Sequence, residues 1–330
     1  MMKRDRLYRN TLIATGVFAF LSFVLMFIFK SNEVFWEVHA LATPTWESSN
    51  DSLMSGARHS MDVNFQSEHQ SKLIIPLSNQ ISDNQVTLRE EFTQDKLVVT
   101  LHEAADCINE SATIITDTSY MKAVGIYKQN SDIVLEVYCN GPYEYTMTKE
   151  SDSLEINFEQ LRSVYDKVAV VYIPYENRSR LSAVEWQEEL YETARQQNMK
   201  LYLSYGMKEK YTQEDIVSFA NRVRADALIG IEFSNDGSSK KIMSVCNSTY
   251  FIPDFGSVQL AGMLGEVFRD ETKLPFAGIR EYNDNENIVK DAIVPSALIV
   301  INGMEDSFEL DIMTALCHTL DQIAQQNCED

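Results

Sequence analysis

The sequence predicts a layered α/β domain, a mixed sheet with helices on both faces, preceded by a small all-β domain and one N-terminal transmembrane helix. Three observations carry this prediction. Residues 164–330 alternate strand-like apolar runs with helix-like amphipathic ones, the pattern of an α/β layer. Residues 71–160 hold short alternating stretches separated by Asp, Asn, Ser and Gly, the pattern of a small sandwich or two-layer sheet. Thr11–Phe29 is a run of 19 residues without a charge, enough to cross the ~30 Å hydrocarbon core of a bilayer.

In chain order, residues 1–10 form a basic stub and residues 11–29 the membrane segment. Lys3, Arg4, Arg6 and Arg9 precede that segment and place the N-terminus in the cytoplasm and the bulk of the chain outside. A cleaved signal peptide is the rival, since Ala40-Leu41-Ala42 has the form of a cleavage site. That site lies far beyond the apolar run, and the run is longer than a usual signal core, so an uncleaved, single-pass signal anchor is expected. Residues 30–70 are polar and aperiodic and read as a tether. Residues 71–162 form the β domain, with strands expected at Ser71–Leu77, Lys96–Leu101, Ala112–Thr116, Met121–Tyr127, Asp132–Tyr138 and Leu154–Phe158.

Residues 163–330 form the α/β domain. Lys167–Ile173 is the near-continuous apolar run of a strand buried on both faces. Ser182 with Glu185 has capping-box spacing for a helix to Gln197, and Thr212 caps a helix to Val223. Strands are expected at Leu201–Ser204, Ala227–Phe233, Lys241–Cys246 and Ala297–Ile301, and further helices at Ser257–Arg269 and Ser307–Gln325.

Composition excludes several functions. The formal net charge is −21. It is unevenly spread, because the first thirty residues are basic and the remainder strongly acidic. Such a surface repels nucleic acid, so no nucleic-acid partner is expected. The chain has 12 glycines and no glycine-rich phosphate loop. Its five cysteines form no CxxC pair, which excludes a zinc ribbon or a thioredoxin-like motif; Cys107 and Cys139 lie in one domain and could pair. No GxSxG or HExxH occurs, and the adjacent acids Glu188-Glu189 and Glu214-Asp215 read as solvated helix faces.

Tyr211–Asn235, YTQEDIVSFANRVRADALIGIEFSN, carries the most specific signal. Ala220-Asn221 and Ala225-Asp226, followed by Ile231, resemble the A-N-x-x-x-A-D-x-x-x-S-I-H pattern of the zinc-dependent N-acetylmuramoyl-L-alanine amidases, a family of cell-wall hydrolases. The resemblance implies an amidase-like α/β fold. It also implies a zinc held by two histidines and a glutamate, with a second glutamate as acid–base. This sequence departs from that set at each histidine. Pro174 keeps its family place, but Glu176 and Glu232 stand at the histidine positions, and Glu185 falls at the glutamate ligand position, with Glu188 as a rival. Val300, Ile301 or Asn302 occupies the acid–base position, depending on a one-residue offset. His39, His59, His69 and His102 precede the domain, and His318 lies in its last helix. Zinc prefers nitrogen and sulfur ligands at such sites, so it is not expected. Three glutamates would suit a hard cation, calcium or magnesium, or would splay into solvent in a vestigial cleft.

The strands of residues 71–162 are also similar in order to the AMIN domain that precedes such amidases, which implies peptidoglycan targeting; a generic β spacer is the alternative. Three functions follow as expectations. The first is a membrane-anchored, catalytically degenerate amidase homologue, a wall-binding or scaffold protein with peptidoglycan or an envelope protein as partner. The others are an active amidase with an atypical metal site, and a structural envelope protein.

Overall fold

In a computed structural model the described residues are 64–65, 71–76, 85–104, 112–115, 119–150, 153–174, 184–204, 211–234, 239–249, 255–303 and 309–326. The expected membrane segment, most of the tether and Glu176 lie outside them. No helix among the described residues is long and apolar enough to cross a membrane.

The first nine strands build two antiparallel sheets. One has the order β1 (Asn64–Phe65), β2 (Lys72–Pro76), β9 (Ser153–Gln160), β8 (Tyr143–Lys149). The other has the order β3 (Val86–Glu91), β4 (Lys96–Leu101), β7 (Asp132–Cys139), β6 (Met121–Gln129), β5 (Ala112–Ile115). Alternation turns one side of each sheet inward, and Leu73, Ile156 and Phe158 meet Val99, Val124 and Leu135 in one core. Cys107, the possible partner of Cys139, lies outside the described residues, and Cys139 is a free, buried thiol. Burial pushes its pKa up to about 12, so it stays protonated and inert.

A short helix, α1 (Leu161–Val164), leads into the second layer system. There a six-stranded sheet runs β11 (Met199–Leu203), β10 (Lys167–Tyr172), β12 (Ala227–Ser234), β15 (Ser296–Asn302), β13 (Lys241–Cys246), β14 (Phe276–Glu281). Strands β11, β10, β12 and β15 are mutually parallel, while β13 runs antiparallel to β15. The sheet is mixed, as the sequence predicts. Helices α2 (Val184–Gln196), α4 (Ser257–Thr272) and α6 (Glu309–Gln325) cover one face, where Leu190, Leu264 and Leu316 meet Ile229, Ile231 and Ile299. Helices α3 (Gln213–Val223) and α5 (Asn287–Lys290) cover the other, where Phe219 and Ile288 meet Val170, Leu228 and Leu298. Two-sided cover explains why these strands read as unbroken apolar runs rather than as alternation.

Strand β14 and helix α5 escape sequence reading. The segment FAGIRE is an edge strand of mixed polarity whose burial alternates, and α5 is a single turn. Neither has the length or periodicity that marks an element in isolation.

The two sheet systems meet through a 3-10 turn, Phe92–Gln94. Phe92 belongs by sequence to the β part, yet its ring is buried in the core of the α/β part, 5.2 Å from Tyr202, 5.4 Å from Tyr211 and 4.7 Å from Phe219 between centroids. Charged pairs flank it. Lys200 reaches Glu144 at 2.5 Å and Glu90 at 3.7 Å, and Arg222 reaches Asp95 at 2.9 Å. Burial pushes Glu90 up to about 7 even though Lys200 favours its charge. Phe92→Ala is expected to cost about 3–5 kcal/mol, the usual range for emptying a buried phenylalanine site. A drop in the urea midpoint, read against the wild type, checks it; an unchanged midpoint would show that the ring does not join the two parts.

Candidate functional site

Strand β12 sets the site. Leu228, Gly230 and Glu232 alternate onto the face covered by α3 and α5, while Ile229, Ile231 and Phe233 point to the other. Gly230 lets α5 approach the sheet. A Cβ there would lie 2.8 Å from Leu298 Cδ1 and 3.4 Å from Ile288 side-chain atoms. Two residues on, α5 has passed and Glu232 emerges into a cleft of about 480 Å³ lined also by Tyr172, Pro174, Gln213, Asn283 and Glu286.

Glu286 is buried, and Arg280 pairs with it through both terminal guanidinium nitrogens, one at 2.8 Å. The backbone N–H of Asn283 donates to the same carboxylate at 2.8 Å. Glu232 is half-buried, and burial raises its pKa; Glu286 adds to the rise and Arg280 opposes it. Two carboxylates therefore line the cleft, one of them paired with the Arg280 guanidinium. Sequence reading missed both Arg280 and Glu286, because they sit at the end of β14 and in the turn before α5, where no periodic pattern marks them.

The acid–base position resolves into its three candidates. Val300 is the register partner of Glu232, on the same face and buried. Ile301 belongs to the opposite core. Asn302, also buried, ends β15 opposite Ser234. Glu185 falls in the first turn of α2, a helix that packs on the other side of the sheet from Glu232. Among the described residues no group of three or more His, Cys, Asp or Glu side chains is arranged to hold a metal ion. His102 is bonded to Thr87 and Asp132 in the β part, and His318 on α6 pairs with Glu271 of α4 at 2.9 Å.

The framework residues of the motif all have a mechanical task. Thr212 and Asp215 cap α3 reciprocally, and the helix closes on Arg224 in the left-handed region, φ 51°. Ala225 N–H then bonds back to Ala220 C=O at 3.0 Å, and both alanines are buried. Asn221 clamps the chain after α5, donating to Asp291 C=O at 3.1 Å and accepting from Ile293 N–H at 2.9 Å. Asp226 accepts from Val168 N–H at 2.6 Å and from Arg162 at 2.8 Å, tying β10 and α1 to the start of β12. The adjacent acids Glu214 and Asp215 are exposed, with Asp215 spent on the cap.

With this geometry in hand, comparison with known proteins gives a partial likeness. No protein-family model matches the chain, and no curated protein is significantly similar in sequence. Among solved structures, the chain resembles N-acetylmuramoyl-L-alanine amidases. The catalytic domain of CwlV from Bacillus (Paenibacillus) polymyxa var. colistinus overlays at 13% identity and TM-score 0.39, covering 49% of this chain and 99% of that one. An amidase from Clostridium difficile 630 overlays at 14% identity and TM-score 0.39, covering 47% and 95%. The CwlD amidase of Clostridioides difficile, in complex with the GerS lipoprotein, overlays at 13% identity and TM-score 0.33, covering 48% and 98%.

The raised pKa of Glu232 fixes a sign. The folded state holds its proton more tightly than the unfolded chain, so stability falls as pH rises from the ordinary carboxylate value through the raised one. Glu232→Gln is therefore expected to raise Tm at pH 8 and to leave it unchanged below pH 4; melting across a pH series checks it, and an equal shift at every pH would refute the assignment. Arg280→Met leaves Glu286 buried without its partner and is expected to cost about 2–3 kcal/mol in chemical denaturation.

Proposed function

We propose that the protein is a catalytically degenerate relative of the N-acetylmuramoyl-L-alanine amidases. It is held at the cell membrane by Thr11–Phe29, with its folded part on the wall side, and acts as a wall-binding or scaffold protein. One observation carries the loss of catalysis: the register partner of Glu232, where the acid–base candidate on the cleft face stands, is the buried Val300. An amide hydrolase of this type needs a carboxylate there to take the proton from water and hand it to the leaving amine. Valine does neither.

The residues present do not fit the family's zinc. No histidine occurs between His102 and His318, and among the described residues the charged groups that act on Glu232 are Glu286 and Arg280. The Arg280 guanidinium already neutralises Glu286, and it would oppose a divalent ion at Glu232. The same guanidinium speaks against calcium or magnesium at Glu232. The cleft is kept as a surface lined by amides and carboxylates, suited to holding peptide or amino-sugar groups rather than cleaving them.

The test uses the full chain in detergent with purified peptidoglycan. Sedimentation with the wall, without release of stem peptides in buffer containing zinc, magnesium or calcium, is the expected result. Metal-dependent stem release would overturn the reading of lost catalysis. Release and sedimentation both absent would remove the wall as partner and leave an envelope protein in its place.

A further inference from the structure

A second cavity lies where the two sheet systems meet. Its volume is about 470 Å³, within the range of ligand sites, and β3, β8, α2 and β11 contribute to its wall. Tyr145, Tyr165, Tyr191 and Tyr202 line it, with Lys200 and Glu90 among them. We infer that this cavity is a binding site for a neutral carbohydrate of one or two sugar rings. It lies apart from the cleft at Glu232, and the inference does not rest on the function proposed for that cleft.

The polar groups of the wall are already ordered. Lys200 Nζ stands 5.6 Å from the ring centroid of Tyr145, 5.8 Å from Tyr165 and 5.4 Å from Tyr202, so the ammonium sits in a cage of three rings. Glu144 takes its ion pair at 2.5 Å and also engages Tyr165, while Glu90 engages Tyr145. One group is left over. The hydroxyl of Tyr202 is buried and has no hydrogen-bond partner, although Tyr202 itself is only 2% exposed. Leaving such a group unpaired is unfavourable, and a ligand hydroxyl or carbonyl that reaches it through a small shift of the wall would relieve the penalty.

The chemistry of the wall selects among ligands. An anion would find each cation of the wall already paired, Arg89 with Glu91, Arg195 with Glu192 and Lys200 with Glu90 and Glu144. A cation would meet Lys200, already seated in the aromatic cage, and Arg195. A purely apolar ligand would leave Tyr202 unpaired and strip water from the ion pairs. A sugar satisfies each demand. Its ring faces are apolar and stack on tyrosine, as the 41%-exposed ring of Tyr191 permits, and its hydroxyls both donate and accept. Because both sheet systems form the wall, occupancy would also brace them against one another.

The test is calorimetric titration of the full chain in detergent with cellobiose and with N,N′-diacetylchitobiose, with inorganic phosphate and putrescine as the contrasting probes. Saturable binding of at least one disaccharide is expected, with a rise in Tm. Tyr202→Phe removes one oxygen and keeps the ring. It is expected to weaken binding about tenfold, one hydrogen bond's worth, while raising the Tm of the free protein, since the unpaired hydroxyl is gone. A merely structural tyrosine would not move those two readouts in opposite directions. Tyr191→Ala, at an exposed ring, should weaken binding and leave the free protein's Tm unchanged. No binding of either sugar at millimolar concentration, binding of phosphate or putrescine in their place, or equal sugar affinity in Tyr202→Phe would overturn the proposal.

Discussion

A strand covered by helices on both faces resists an ionised side chain until it leaves the covered zone, and this constraint fixes where charged groups can gather on this sheet. Strand β12 is the central case. Ala227 to Ile231 are all buried, and the first ionisable side chain after them is Glu232, where α5 ends its passage across the sheet. Its neighbour β15 stays buried to its last residue. The cleft is therefore confined to the carboxyl ends of the parallel strands, where open α/β sheets generally place their ligands. Whatever reaches it meets Glu232, Glu286 and the amides of Gln213, Asn283 and Asn285.

The joint between the two sheet systems obeys a different balance. Phe92 contributes a hydrophobic anchor, but Lys200, Glu90 and Glu144 are charged groups withdrawn from water beside it. Burial works against the charge on Lys200, and the two carboxylates more than restore it, so its pKa ends above the ordinary lysine value. Such a network is satisfied only in one geometry, because each partner removed leaves another charge unpaired. The anchor supplies affinity between the parts, and the charges fix their register.

Long, uniformly buried elements were legible in the sequence, and elements defined by their neighbours were not. Lys241–Cys246 and Lys96–Leu101 were placed to the residue, because β-branched runs bounded by turn residues have few other readings. Thr212 was recognisable as a cap because its hydroxyl and Asp215 satisfy each other locally. Edge strand β14 and the single turn α5 depend on Cys246, Gly230 and Leu298 for their existence, so no local pattern announces them. The site divided along the same line. Glu232 could be found from motif spacing, whereas Arg280 and Glu286 reach it only through the fold. Tyr145, Tyr165, Tyr191 and Tyr202 are scattered over nearly sixty residues as ordinary aromatics, and only the docking of the two parts gathers them.

The motif by which this chain resembles the wall amidases is informative because its residues serve the backbone. Ala220 and Ala225 are small where α3 turns back on itself, and larger side chains would force the left-handed turn at Arg224 away from the sheet. Asn221 satisfies one donor and one acceptor of the segment that carries α5, and Asp226 pins the beginnings of two strands. None of them reaches the cleft, so none depends on a metal or a substrate to be retained. Removing Asn221 or Asp226 would leave backbone groups of those segments without their partners whether or not the protein catalyses anything. Glu232 faces the cleft and Val300 adds only apolar packing beside it, so neither ties one backbone segment to another. A fold can therefore keep every framework residue of such a motif while the residues that would perform the chemistry change freely, and the persistence of the motif is evidence about architecture and not about reaction.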